Sequence, residues 1–89
     1  MVDYNANEDI YTFKVQFVKI DTVKRFVAES EDCQSNITVI SHNNYVVDGK
    51  SLMGLFGLDL SEPVEITTTN VNDYNELWKY CKSEGILVT

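Results

Sequence analysis

The stretch Asp48-Gly49-Lys50-Ser51-Leu52-Met53-Gly54-Leu55-Phe56-Gly57-Leu58 holds a turn followed by five large apolar residues in seven positions. Asp48-Gly49 closes the segment before it. Ser51 offers a hydroxyl that can accept a bond from a free amide at a helix start. Leu52 to Leu58 is too short and too rich in glycine for a long helix, so a helix of one or two turns capped by Ser51 is expected. Upstream, Tyr45-Val46-Val47 is a short strand, and His42-Asn43-Asn44 is a turn in which Asn tolerates the left-handed backbone of a tight hairpin. Before that turn, Ile37, Val39 and Ser41 alternate with Thr38 and Ile40 as the partner strand.

Further outward the pattern repeats. Tyr11, Phe13, Val15 and Phe17 alternate with Thr12, Lys14 and Gln16, the period of a half-buried strand. Asp21 then reads as a helix N-cap, with Val23, Phe26 and Val27 at helical spacing and Lys24, Arg25 and Glu29 outside, running to about Glu31. Downstream, Pro63 breaks the chain and Val64 to Thr69 is a strand with the threonine content of a half-exposed one. Asn70 or Asn72 caps a last helix whose Tyr74, Leu77, Trp78 and Cys81 form one stripe. Gly85 ends that helix, and Ile86-Leu87-Val88 is a short apolar tail with no assigned place. The order is β-α-β-β-α-β-α. Each long helix has one dry face, so both belong on one side of a four-stranded antiparallel sheet. The expected fold class is α+β, an open-faced two-layer sandwich. Residues 1–9 read as a loose N-terminal tail and 10–89 as a single domain.

Composition narrows the function. The 89 residues carry 44% hydrophobic and 11% aromatic content, enough for one ordered domain. The net charge of −7 disfavours nucleic acid and anionic membranes as partners. No apolar run approaches the roughly 18 residues of a membrane span, and the acidic N-terminus is unlike a signal peptide, so a soluble, cytoplasmic protein is expected without membrane insertion. Cys33 and Cys81 lie far apart, there is no Cys-x-x-Cys pair, and His42 is the only histidine. A structural zinc needs about four such ligands, so no metal and no other cofactor is expected. Both thiols should stay reduced in the cytoplasm. Cys81 reads as a small buried hydrophobe. Cys33 follows Glu31 and Asp32, whose charges would raise a thiol pKa, so it is not read as a nucleophile.

The segment from Asp48 to Leu58 closely resembles the Lys-Ser-Ile-Met-Gly region of HPr, the histidine-containing phosphocarrier of the bacterial sugar phosphotransferase system. Chain length and element order agree with that family's open-faced sandwich. The Met-Gly form resembles the Gram-positive branch. Ile20 to Val27 and Tyr45 to Ser51 are similar to HPr-related sequences of clostridia, which share Ile-Asp-x-Val-Lys-x-Phe-Val and Tyr-Val-Val-Asp-x-Lys-Ser. The resemblance spans roughly Ile10 to Ser83.

One departure matters as much. Active members of the family carry Gly-Leu-His-x-Arg-Pro where the first helix begins. Here that stretch reads Phe17-Val18-Lys19-Ile20-Asp21-Thr22-Val23. Lys19 falls nearest the His position, Asp21 nearest the Arg and Thr22 nearest the Pro; with Ile20, these are degenerate active-site positions. Phosphoryl transfer to histidine needs a neutral imidazole nitrogen, and Lys19 is a hydrated cation at pH 7. Asp21 places negative charge where a phosphoryl group would arrive. The chain is therefore not expected to relay phosphoryl groups from phosphoenolpyruvate, and no residue is assigned a catalytic role. It is not expected to be an enzyme.

What the resemblance leaves is regulation. In Gram-positive members the residue matching Ser51 is phosphorylated by a dedicated kinase, and the product binds a transcriptional regulator. Phosphate on Ser51 would meet free amides at a helix start with Lys50 adjacent, adding a charge of about −1.5 to −2 beside an apolar patch. The plain alternative makes Ser51 only a cap. The residues matching the family's docking patch are Leu52, Met53 and Phe56, rimmed by Lys24, Arg25 and Lys50; Leu55 and Leu58 are the expected core members. His42 reads as a solvated turn residue, and the acidic pairs Glu8/Asp9 and Glu31/Asp32 as solvated face or tail. The leading expectation is a phosphotransferase-related regulatory phosphoprotein linked to sugar transport. Its partners would be phosphotransferase components, a Ser kinase or a transcriptional regulator. The alternatives are a phosphocarrier with a non-standard acceptor and a structural accessory domain.

Overall fold

The structure, a computed structural model, describes residues 9–88. The expected tail therefore lies outside the described residues except for Asp9, which is exposed and accepts a hydrogen bond from the Tyr11 hydroxyl at 3.2 Å. The elements are β1 (Tyr11–Val15), α1 (Ile20–Glu31), β2 (Thr38–Ile40), β3 (Val46–Asp48), α2 (Leu52–Phe56), β4 (Val64–Thr68), α3 (Val71–Ser83) and β5 (Leu87–Val88). No helix among the described residues is long and apolar enough to cross a membrane.

The sheet is antiparallel throughout, in the order β3-β2-β4-β1-β5. Alternation sets its two faces. Phe13, Val15, Val39, Val64 and Ile66 turn inward and are buried, while Thr12, Lys14, Thr38, Ile40, Glu65 and Thr67 are half-buried or exposed on the other side. Onto the inner face pack Val23, Phe26 and Val27 of α1, Leu55 of α2 and Leu77 and Cys81 of α3. The Cys81 thiol is fully buried, and burial pushes its pKa up to about 12.

The fifth strand corrects the expected four. Gly85 takes a positive φ of 73°, a backbone state that favours glycine, and turns the chain back after α3. Ile86 is then buried, its carbonyl accepts the Gln16 N–H at 2.8 Å, and Leu87 and Val88 pair with Val15 and Lys14. Three apolar residues are too few to show a period, and only the neighbouring edge of β1 makes them a strand. The first strand also ends at Val15 rather than Phe17, although Phe17 stays buried beyond it. The third begins at Val46, because Tyr45 closes the turn with its carbonyl on the Ser41 N–H at 2.9 Å.

Asp21 is not the N-cap of α1. That position belongs to Lys19, whose backbone is extended and whose carbonyl accepts from the Thr22 and Val23 amides at 3.1 and 3.3 Å, with no side-chain cap. Asp21 already lies inside the first turn, so its carboxylate cannot fold back over the amides as a cap does. Its charge still suits the positive helix end. For α3 the choice falls on Asn70, whose Oδ1 accepts from the Asp73 amide at 3.0 Å.

Asp73 ties α3 to the α1–β2 loop. Its carboxylate accepts from the Gln34 N–H at 3.3 Å, the Ser35 N–H at 2.8 Å and the Ser35 hydroxyl at 2.6 Å. Burial alone would raise its pKa, but the Ser35 and Gln34 donors outweigh it and hold the carboxyl below its ordinary value. A depressed folded-state pKa contributes stability that is present above the unfolded value near 3.8 and is lost as pH falls through the folded value. Asp73→Asn should therefore cost about 1–3 kcal/mol at pH 7. The difference from the parent should shrink in acid, below about pH 4, as read by urea denaturation across pH.

Candidate functional site at the mouth of α1

The linker from β1 to α1 is pinned from the side. Gln16 donates from Nε2 to the Leu60 carbonyl at 3.0 Å and to the Phe17 carbonyl at 3.3 Å. Phe17 then drops into the core and meets Phe26 edge-on, with ring centroids 5.4 Å apart. Two exposed apolar residues, Val18 at 78% and Ile20 at 63%, flank Lys19 at the surface. Together they border a hollow of about 230 Å³. Phe17, Val18, Lys19, Ile20 and Val23 form one side of it, and Phe56 and Leu60 close it from the other.

The four degenerate positions therefore part company. Lys19 and Ile20 line the hollow. Asp21 is exposed beside it in the first turn of α1. Thr22 is buried, and its carbonyl accepts a long hydrogen bond of 3.5 Å from the Tyr80 hydroxyl. Sequence reasoning did not single out Val18 or Leu60. Val18 was legible in one respect: it follows Phe17 directly and so breaks the strand alternation with an apolar residue on the wet side.

Across the hollow, α2 is built as its sequence suggests. The Ser51 Oγ accepts from the Gly54 N–H at 3.1 Å, and its carbonyl accepts from the Leu55 N–H at 3.1 Å. Ser51 is half-buried. Gly54 lies so close to β3 that a Cβ there would sit 3.3 Å from the Val47 Cβ and 3.2 Å from the Ser51 Oγ. Seated this tightly, the helix points Leu55 into the core, with Leu58 just beyond its end also buried. Leu52 is half-buried, Phe56 is 46% exposed, and Met53, one turn before Phe56, is 86% exposed.

The three expected rim cations do not act together. Lys24 is exposed on α1. Arg25 turns to the end of α3, where its guanidinium lies 3.7 Å from Glu84. Lys50 reaches the α1–β2 loop and donates from Nζ to the Cys33 carbonyl at 3.1 Å.

His42 lies elsewhere. Its Nε2 is 2.8 Å from Asp59 Oδ2, which joins the β2–β3 turn to the loop after α2. Ser61 donates to the other Asp59 oxygen from its hydroxyl and its amide, and these bonds, with His42, hold the Asp59 carboxyl down to about 2. His42 is exposed, as a turn residue should be, but it is engaged by a carboxylate and does not line the hollow of α1. Cys33 is half-buried, with its pKa pushed up to about 11, first by burial and next by Asp73. The direction is the expected one, but the charges responsible are Asp73 and, to a smaller degree, Glu29, not Glu31 and Asp32. Among the described residues no group of three or more His, Cys, Asp or Glu is placed to hold a metal ion.

No family model matches the chain, and no curated protein matches it. Among solved structures, a phosphocarrier protein HPr from Bacillus anthracis strain Ames matches with a TM-score of 0.65. The match covers 82% of this chain and 94% of that one at 19% identity. The fold is HPr-like. At that identity the likeness concerns the fold, and the chemistry must be argued from this chain's own residues.

The two sides of α2 give a direct measurement. Phe56→Ala should change stability by no more than about 1 kcal/mol, whereas Leu55→Ala should cost about 2–5 kcal/mol, as read by thermal and chemical denaturation.

Proposed function

We propose that this chain is a non-enzymatic HPr-like regulatory protein of the cytoplasm. It binds other proteins through the surface formed by the start of α1 and the outer side of α2, and it does not relay phosphoryl groups through histidine. One observation carries the reading: the mouth of α1 presents a lysine and apolar side chains with Asp21 beside them, while the chain's only imidazole is engaged with Asp59 outside that hollow. A phosphoryl group arriving at the mouth would find no neutral nitrogen to attack it and a carboxylate to repel it. The exposed Met53 and Phe56, by contrast, are side chains that gain from being covered.

The partners that fit this fold are phosphotransferase components, a Ser kinase and a transcriptional regulator. Ser51 is the proposed switch. Its hydroxyl is half-buried and already faces the Gly54 amide. Phosphate there would replace a neutral acceptor by a charge of about −1.5 to −2 next to Met53. Lys50 would serve as its counter-ion only after leaving the Cys33 carbonyl.

Two experiments test this. Incubation with phosphoenolpyruvate and the general phosphotransferase enzyme should leave the chain without acid-labile label while an authentic HPr in the same tube is labelled. Label on this chain would establish a carrier with a non-standard acceptor instead. Treatment with the family's Ser kinase should phosphorylate the parent and not Ser51→Ala. A parent that stays unmodified while authentic HPr is modified would remove the switch and leave Ser51 as a cap.

A further inference from the structure

We propose that a hollow on the open face of the sheet binds a free α-amino acid with an apolar side chain. This hollow lies on the face turned away from the helices and shares no lining residue with the one at the mouth of α1. It measures about 420 Å³, within the range of roughly 300–1,000 Å³ usual for ligand pockets. Its lining includes one row of side chains across the sheet. Ile40 of β2 stands opposite Glu65 of β4, Glu65 opposite Lys14 of β1, and Lys14 opposite Val88 of β5. Neighbours in such a row stand on the same face with Cβ atoms about 5 Å apart. The row therefore reads apolar, acidic, basic, apolar. The β2–β3 turn and Pro63 border it. That border is fixed in advance: the Ser41 carbonyl accepts the Asn44 N–H at 2.9 Å, the Ser41 Oγ accepts the Tyr45 N–H at 3.1 Å, and Asp59 holds His42 at 2.8 Å.

Charge then selects the ligand. Lys14 and Glu65 face one another across the β1–β4 ladder, yet neither side chain joins an ion pair or a hydrogen bond among the described residues. Lys14 is exposed and Glu65 is half-buried. Two opposite charges thus border one recess without neutralising each other. A simple anion would meet Glu65 there and a simple amine would meet Lys14, each at a like-charge cost. An α-amino acid carries its carboxylate and its ammonium on one carbon and answers both charges at once. Its carboxylate would face Lys14 and its ammonium Glu65. The hydrocarbon at the ends of the row, from Ile40 and Val88, together with Pro63, rewards an apolar side chain. A second copy is disfavoured as the occupant, because two chains of net charge −7 repel.

The test uses the full chain, labelled with nitrogen-15 and titrated singly with L-leucine, L-valine and L-phenylalanine. At least one of them should shift the amide signals of Lys14, Ile40, His42, Glu65 and Val88 saturably, with an affinity of about 10 mM or better. The affinity is modest because charges open to water contribute little each. Glycine lacks the side chain, the amide derivative of the bound amino acid lacks the carboxylate, and its N-acetyl derivative lacks the ammonium. Each should bind at least about tenfold more weakly. Lys14→Gln and Glu65→Gln, each checked for an unchanged fold by its spectrum, should weaken the amino acid by a similar factor. If either variant fails to fold, the three altered ligands on the parent chain decide the matter alone. No saturable shift at these residues would overturn the proposal. So would an altered ligand that binds as well as the amino acid, or folded variants that bind it unchanged. Shifts at the same residues that follow protein concentration without ligand would overturn it in favour of a second copy. Labelling from phosphoenolpyruvate and phosphorylation of Ser51 concern the other side of the molecule and are untouched by either result.

Discussion

The sheet has one apolar face, and every helix must share it. Phe13, Val15, Val39, Val64 and Ile66 all point the same way, so α1, α2 and α3 are driven to one side and the other is left with Thr12, Lys14, Glu65 and Thr67. That single demand explains the surface of α2. Two long helices fill most of the inner face, and a five-residue helix is left to cover the end near β3. Gly54 lets it sit directly on Val47, but only the side bearing Leu55 fits beneath it. Met53 and Phe56 remain outside because no part of the core is left for them.

The mouth of α1 is shaped by the same demand. Phe17 must reach the core to meet Phe26, which forces the next residues, Val18 and Lys19, to the surface before the helix begins. Lys19 caps α1 with its backbone alone, and its side chain makes no cap bond. In this HPr-like fold the result is a mouth lined by hydrocarbon and one ammonium, held against the loop after α2 by the Gln16 amide. The proposed loss of phosphoryl chemistry is a consequence of these residues.

Polar ties outside this region hold the frame. Asp73 anchors the α1–β2 loop through three donors, and His42 with Asp59 joins two loops at the surface. The first is well sheltered and the second is open to water, so the first contributes more to stability. Ser30 is the exception, with a fully buried hydroxyl that has no hydrogen-bond partner among the described residues.

Short-range chemistry was legible in the residues themselves. The Ser51 cap, a cap at Asn70 or Asn72, the alternation of Phe13 and Val15, the stripe of Leu77 and Cys81 and the inward Leu55 depend on spacing within one element, and local spacing is what a sequence displays; between the two asparagines the structure chose Asn70. The resemblance carried by Lys50 to Leu58 agrees with the observed HPr-like fold. The misplaced cap at Asp21 shows the limit of that legibility, because a capping residue type one or two positions inside a helix looks the same in one dimension. Tertiary structure alone decided the rest. It made Ile86 to Val88 an edge of the sheet, sent Arg25 to Glu84 and Lys50 to Cys33, set His42 against Asp59, and brought Phe56 and Leu60 to the same hollow as Ile20. Each of these joins residues distant in the chain, and which distant groups meet depends on how the layers pack, which no local period records.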